Sequence, residues 1–336
     1  MSASDAFLSP WAEALFSAVA VFGDAQQLDL LDVGVGQQPA RRAIDTAIAN
    51  ALNCMPSVGS RIALIKGEAG SGKSHVLTTS FKRAAALPRG EVYPAVLQLT
   101  APVEKKDYDA WLLDALFRQL TARHFADDHN CGPLRRLAGR LLSRVHLAEQ
   151  EAFLRCIDDL NNDEEVKLAL EIARKIRKEA LDILPENPPE AAFFAVVLLA
   201  GFGVSSAIAY LRQGVADKRL KAFDLPKIKN GHQRLEVLKD LGLTARLVGA
   251  SLAIGFDQVE NAVRLGSEDL FVHTLVQAVR IVENVPNCAV VVASVAGEYD
   301  EIIGGKRTVK GLPAGDRDRI ENIPPSPVSL DRGGPE

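Results

Sequence analysis

Apolar positions along this chain follow two regimes, long stretches at helical spacing and five short runs in which they bunch together. Residues 7–22 carry Phe7, Trp11, Leu15, Ala18 and Phe22 near helical spacing, which predicts an amphipathic opening helix, and residues 39–52 predict a second. Residues 61–66 are apolar and run straight into glycines, as a buried strand does. A helix over 74–87 follows, stopped by Pro88-Arg89-Gly90. Residues 93–100 read as a second strand, with Pro94 near its start, where a missing N–H is tolerated. From 102 to 246 the periodicity is helical almost without a break, including 108–124, 134–145 and 164–184, and offers no strand candidate. Strand character returns at 247–257 and 288–295, on either side of a helix at 268–283, and a last short strand is expected at 327–330. There is no internal repeat, and only the tail from Pro324 is rich enough in Pro and Gly to fray.

Strands alternating with helices at both ends predict an α/β fold with a parallel sheet, interrupted by a large all-helical insertion. The expected boundaries are 1–101 for the N-terminal part of the core, 102–246 for the insertion and 247–336 for the C-terminal part with its tail.

Composition narrows the class. With 336 residues, 47% hydrophobic and 24% charged, the chain can build a real core, which counts against disorder and against a many-pass membrane protein. Its 43 acids against 39 bases give a net charge of −4, so no global basic field recruits nucleic acid or anionic lipid, and only a local patch remains open. Cys54, Cys131, Cys156 and Cys288 are scattered without metal-ligand spacing, which predicts reduced thiols, no structural zinc and a cytoplasmic location. Met1 to Asp5 lack a basic n-region and Glu13 breaks the following apolar stretch, so export is not expected.

The sharpest chemical signal is Gly67-Glu68-Ala69-Gly70-Ser71-Gly72-Lys73-Ser74, a full match to the phosphate-loop template Gly-x-x-x-x-Gly-Lys-[Ser/Thr]. Glycines let the backbone wrap an anion with its N–H groups inward, and the helix that follows adds its positive end. Lys73 is placed to reach the β- and γ-phosphates, and the Ser74 hydroxyl to ligate Mg²⁺. The bland alternative, a chance Gly-rich turn, does not account for a strand before the motif and a helix after it.

Such a loop needs a carboxylate at the end of a neighbouring strand, and Asp257 ends the run at 251–256. Glu260 either points into the same cleft to orient water or sits in the first turn of the next helix for its dipole. Gln258 stands where many such enzymes carry the catalytic Glu. Ser294, near the end of the next strand, either senses the γ-phosphate or bonds nearby backbone. Arg317 and Arg319 either project toward a neighbour's nucleotide or are ordinary surface charges.

With the loop Gly67 to Ser74, the strand ending Phe256-Asp257-Gln258-Val259-Glu260, Ser294 and the Asp-Arg-Ile at 318–320, the chain resembles the AAA+/STAND-type P-loop ATPases. The Asp-Gln-x-Glu variant and the long insertion are similar to bacterial ATPases of the BREX phage-exclusion type and to origin-recognition-like ATPases; Tyr210-Leu211-Arg212-Gln213-Gly214 is weakly similar to a Trp-Leu-x-Gly stretch in such insertions. The resemblance covers roughly residues 30–100 and 247–330. It implies a three-layer P-loop sandwich, ATP and Mg²⁺ as cofactors, and ATP hydrolysis to ADP and phosphate. It further implies that Lys73 and Ser74 bind phosphates and metal, Asp257 binds Mg²⁺, Glu260 is the acidic catalytic group, Ser294 a sensor and Arg319 a trans-acting finger. The family normally continues into a helical lid with a second sensor arginine, and the sequence to Glu336 shows none. No guanine-reading Asn/Thr-Lys-x-Asp follows a strand, which favours adenine.

Residues 191–211 form 21 consecutive positions without a charge, long enough against the ~20 needed to span a bilayer. A single crossing would put the strands at 93–100 and 247–257 on opposite sides of a membrane, so one or two buried helices are expected instead. Residues 212–229 hold six bases, Arg212, Lys218, Arg219, Lys221, Lys227 and Lys229, against Asp217 and Asp224. They read as a solvated face more readily than as a DNA contact, because only Phe223 interleaves. His75 reads as a packing residue, and Asp127, Asp128, His129, Asn161, Asn162 and Asp163 read as loops without a metal-ligand set. The expected partners are a second copy of the chain or another protein, with DNA weakly supported and no membrane. The alternative function is a nucleotide-gated scaffold with negligible turnover.

Overall fold

A computed structural model describes residues 35–53, 61–86, 92–123, 125, 131–158, 164–184, 186–265, 267–303, 312–322 and 327–330. The expected opening helix at 7–22, Cys54, the stop at Pro88-Arg89-Gly90, the loop residues Asp127, Asp128, His129, Asn161, Asn162 and Asp163, and the tail at 323–326 and 331–336 lie outside the described residues.

The fold is α/β, with a parallel sheet of five strands: β1 (Ile62–Gly67), β2 (Val92–Gln98), β3 (Ser251–Asp257), β4 (Cys288–Val295) and β5 (Val328–Leu330), in the order β2-β3-β4-β1-β5. The strands alternate their side chains between two cores, as a pleated strand buried on both faces must. Ile62 and Leu64 of β1 enter one cluster, Ala63 and Ile65 the other. Against the smaller cluster pack α1 (Gln38–Asn53) and α2 (Lys73–Ala85), through Ala40, Ile44, Ala47, Val76 and Phe81. Pro94 lies in β2, an edge strand, where its missing N–H breaks no second ladder.

The larger cluster runs without interruption from the other sheet face into the helices between β2 and β3. These are α3 (Tyr108–Thr121), α4 (Pro133–Leu142), α5 (Leu147–Asp158), α6 (Glu164–Ile183), α7 (Ala191–Gly201), α8 (Ser205–Gln213) and α9 (Gly231–Leu247). No described residue between 102 and 246 is in a strand. The apolar run at 191–211 breaks into α7 and α8, bent by 119°. Phe193 through Ala200 are all buried, and each large side chain there contributes roughly 1.5–3 kcal/mol by leaving water. Among the described residues no single helix is long and apolar enough to cross a membrane.

The strand expected at 247–257 begins four residues later than its apolar pattern suggests. Leu247 ends α9, and Gly249, at φ 71°, closes the helix: its N–H donates to Arg246 O at 2.9 Å and that of Ala250 to Ala245 O at 2.9 Å. Arg144 and Arg140 donate to the remaining carbonyls of Leu247 and Val248 at 2.8 and 3.0 Å. The C-terminal core adds α10 (Asn261–Arg264), α11 (Glu268–Asn284), α12 (Ala296–Ile303) and α13 (Ala314–Glu321).

Burial first, then repulsion from Glu236 and Glu190, push the Asp240 carboxyl on α9 up to about 7. The folded protein therefore binds a proton there that the unfolded chain, titrating near ~4, has lost. Stability falls as pH rises between these values, and above about 7 the penalty is complete. We predict that Asp240→Asn raises the urea midpoint over wild type at about pH 8.5 and leaves it near wild type at about pH 4; the same difference at both pH values would contradict this placement of Asp240.

Candidate functional site

Because every strand runs the same way, the chain leaves the sheet at one edge after each of them, the edge where open α/β sheets collect ligands. There Gly67 closes β1, residues Glu68, Ala69, Gly70, Ser71 and Gly72 form a loop, and Lys73 opens α2. Gly70 and Gly72 have φ 80° and 87°, a left-handed conformation that side chains disfavour. A Cβ on Gly67 would lie 2.6 Å from both Leu330 O and Ser71 Oγ. The loop is thus a tight cradle that only glycine permits, turned by Ser71 N–H donating to Glu68 O at 3.1 Å.

Lys73 is buried under this loop, and its ammonium donates to Gly67 O at 3.0 Å and Glu68 O at 2.8 Å. An ammonium has three protons, so one donor is left for an anion. Burial pulls the Lys73 pKa down, opposed by the charges of Glu260, Asp257 and Glu68. The Ser71 hydroxyl is buried without a hydrogen-bond partner.

Asp257, at the end of β3, is 3% exposed. Its Oδ1 accepts from Ser74 Oγ at 2.9 Å and its Oδ2 from Gln98 Nε2 at 2.8 Å. Burial raises its pKa, and the Gln98 and Ser74 donors and Lys73 oppose that rise. The expectation of a carboxylate on the strand beside the loop needs correction: β4 lies between β1 and β3, and the first turn of α2 reaches across to meet Asp257.

After Asp257 the chain turns through Gln258 at φ 54°. This turn swings Glu260 back toward β4, where its Oε2 accepts from Val295 N–H at 3.3 Å. Glu260 is 5% exposed, and burial raises its pKa against the attraction of Lys73. The Gln258 side chain instead accepts from Asn261 Nδ2 at 3.2 Å, a donor shared with Leu99 O. The structure therefore brings Gly67 to Ser74, Asp257 and Glu260 together.

Ser294 is fully buried near the end of β4, opposite Lys66, and donates weakly to Val295 O at 3.4 Å. Arg319 is not brought to the loop within this chain. On α13 it pairs with Glu283 at 2.7 Å and Asp316 at 3.6 Å, while Arg317 pairs with Glu321 at 2.7 Å. His75 lies one residue beyond Ser74, its pKa lowered by burial and by Arg41. Among the described residues no group of three or more His, Cys, Asp or Glu side chains is arranged to hold a metal by itself.

Two residues of the site escape sequence reasoning. Gln98 carried a usable signal, being a polar side chain at a strand end, like Ser294. Gln37, just before α1, carried none; its amide lies over the loop, with Nε2 2.7 Å from where a Cβ on Gly72 would be. No protein-family model matches the chain, and no curated protein matches it by sequence.

Gln98→Leu removes a donor that favours the charged form of Asp257 while keeping the site buried. We predict that the Asp257 pKa moves further up, read by carbon NMR of the carboxyl group, with a loss of roughly 1.5–3 kcal/mol in stability near neutral pH. An unmoved titration would show that Gln98 does not hold this carboxylate.

Proposed function

We propose that this chain is an ATP-binding P-loop protein of AAA+/STAND type, an Mg²⁺-dependent ATPase whose nucleotide state drives conformational change in a larger assembly. The observation that carries this reading is the hydrogen bond from Ser74 to Asp257 beneath a glycine cradle, at the edge where all strands end. The residues fit the group. Ser71 Oγ is buried and orphaned, a Cβ would fill the Gly67 cradle, and Lys73 keeps one free donor.

The loop N–H groups and Lys73 would hold the phosphates. Ser74 and Asp257 would hold Mg²⁺, a cation that takes one or two protein oxygens and fills its shell with phosphate and water, so no protein cage is needed. When bound, Mg²⁺-ATP supplies the scissile phosphoanhydride and the charge that makes in-line attack by water feasible. Gln98 fixes the orientation of Asp257. The carboxylate of Glu260, its pKa raised toward the working pH, orients the water and accepts its proton. Ser294, in β4 between the two halves of the site, would act as the sensor. Arg319 acts on a neighbouring copy's nucleotide only after leaving Glu283, which makes the finger role conditional on assembly.

A second reading, a nucleotide-gated scaffold with negligible turnover, is favoured by Gln258, which puts an amide tied to Asn261 next to Asp257. The two readings separate in one set of measurements. Lys73→Ala is expected to weaken ATP binding at millimolar Mg²⁺ by at least about tenfold, equivalent to ~1.4 kcal/mol; equal affinity would overturn ATP binding at this loop. Glu260→Gln is expected to abolish steady-state phosphate release while keeping binding. Release that persists in this variant would remove Glu260 from the chemistry, and binding without release in wild type would establish the scaffold.

A further inference from the structure

An open groove of about 640 Å³ lies between the segment after β2, α3, the end of α8 and the start of α9. Its wall carries Trp111 and three guanidiniums, Arg118, Arg212 and Arg234. Asp114 stands between two of them, 2.7 Å from Arg118 and 2.7 Å from Arg212. Glu104, at the rim, is neutralised by Lys106 at 2.7 Å. The arginines therefore outnumber Asp107 and Asp114, and Arg234 makes no ion pair among the described residues.

The basic loop of the sequence is folded onto the same rim. Gly214, at φ 73°, ends α8, and Ile228 N–H donates to Gly214 O at 3.1 Å. A Cβ on Gly214 would lie 2.4 Å from that of Ile228, so glycine is what lets the two ends of the loop meet. This closure holds Ile228, flanked in sequence by Lys227 and Lys229, against Gly214, the residue after Gln213 of the groove wall. Lys218, Lys221, Lys227 and Lys229 are all exposed, and none pairs with a carboxylate among the described residues. A capping box between Asn230 and Gln233 then fixes the start of α9, which carries Arg234.

The aromatic partner that the basic stretch lacks in sequence comes from α3. Trp111 is half-buried and backed by Tyr108, with ring centroids 5.1 Å apart. An indole face in a groove whose Arg234 makes no ion pair, and whose Arg118 and Arg212 share the single carboxylate of Asp114, is an arrangement that can stack a base and meet a phosphate backbone. We propose that this groove binds single-stranded nucleic acid, with a base on Trp111 and phosphates along Arg234 and the exposed Lys227 and Lys229 of the adjoining loop. A single strand is specified because a base must be out of its stack to meet Trp111, and an acidic peptide would have no use for the indole. Trp111 also lines a small cavity with Phe256 and Asp257. The proposal stands on the groove alone and is tested without ATP, so it fails or survives independently of the nucleotide reading.

The test is fluorescence anisotropy of a labelled oligothymidylate of about 20 nucleotides with the full chain, across about 50–200 mM salt. Binding should weaken with salt, and Arg234→Ala and Lys229→Ala should each reduce the log–log salt slope by about 1. Trp111→Ala should weaken binding about tenfold at an unchanged slope, and Trp111→Phe should retain most of it. If Trp111→Ala does not fold, the Phe variant and the two surface variants decide. No binding, equal binding by all variants, or tighter binding of the matching duplex or of polyglutamate would overturn the proposal.

Discussion

The contact on which the candidate site depends is the hydrogen bond from Ser74 to Asp257, made between elements whose strands are not neighbours. It requires the loop after β1 to turn sharply enough for α2 to start over the sheet edge, and the left-handed Gly70 and Gly72 provide that turn. It is made across β4, which lies between β1 and β3 and leaves Ser294 and Val295 between the two strand ends. Val295 then donates the N–H that holds Glu260. One polar contact thus ties the loop, two strand ends and the turn at Gln258 into a single arrangement.

Burial sets the electrostatic character of that arrangement. Lys73, Asp257 and Glu260 are all buried, and burial acts against the charged form of each, lowering the lysine and raising the two acids. Lys73 is favoured by the acids around it, Asp257 first by the Gln98 and Ser74 donors and then by Lys73, and Glu260 by Lys73 and the Val295 N–H, while the two acids repel each other. A buried group of two carboxylates and one ammonium is favoured further by anything that brings compensating charge, as the metal and polyphosphate of the proposed function would.

Much of this site was legible in the sequence because its signals are local. The glycine spacing from Gly67 to Ser74 and the acid ending an apolar run at Asp257 are readable without knowing what lies nearby. Helical periodicity likewise located most helices of the insertion to within a few residues. What could not be read is non-local. Strand order is set by pairing between segments far apart in sequence, so the place of β4 had no local trace, and Gln98, though legible as a polar strand end, could not be matched to Asp257. At 247–250, apolarity continued from a helix end through a turn into a strand, and hydropathy alone had no boundary to offer. Arg319 is a different case: a role in trans concerns a second copy, and within one chain the residue is held by ion pairs to Glu283 and Asp316.

The insertion shares one core with the sheet, and Trp111 of α3 lines a small cavity together with Asp257. The central claim, that Ser74 and Asp257 make a metal-assisted nucleotide site, is tested most directly by ATP affinity with Mg²⁺ and with a chelator, in wild type and in Asp257→Asn. The account predicts that Mg²⁺ strengthens binding in wild type and that this gain is lost in the variant. The same metal dependence in both proteins, or no ATP binding by wild type, would contradict it.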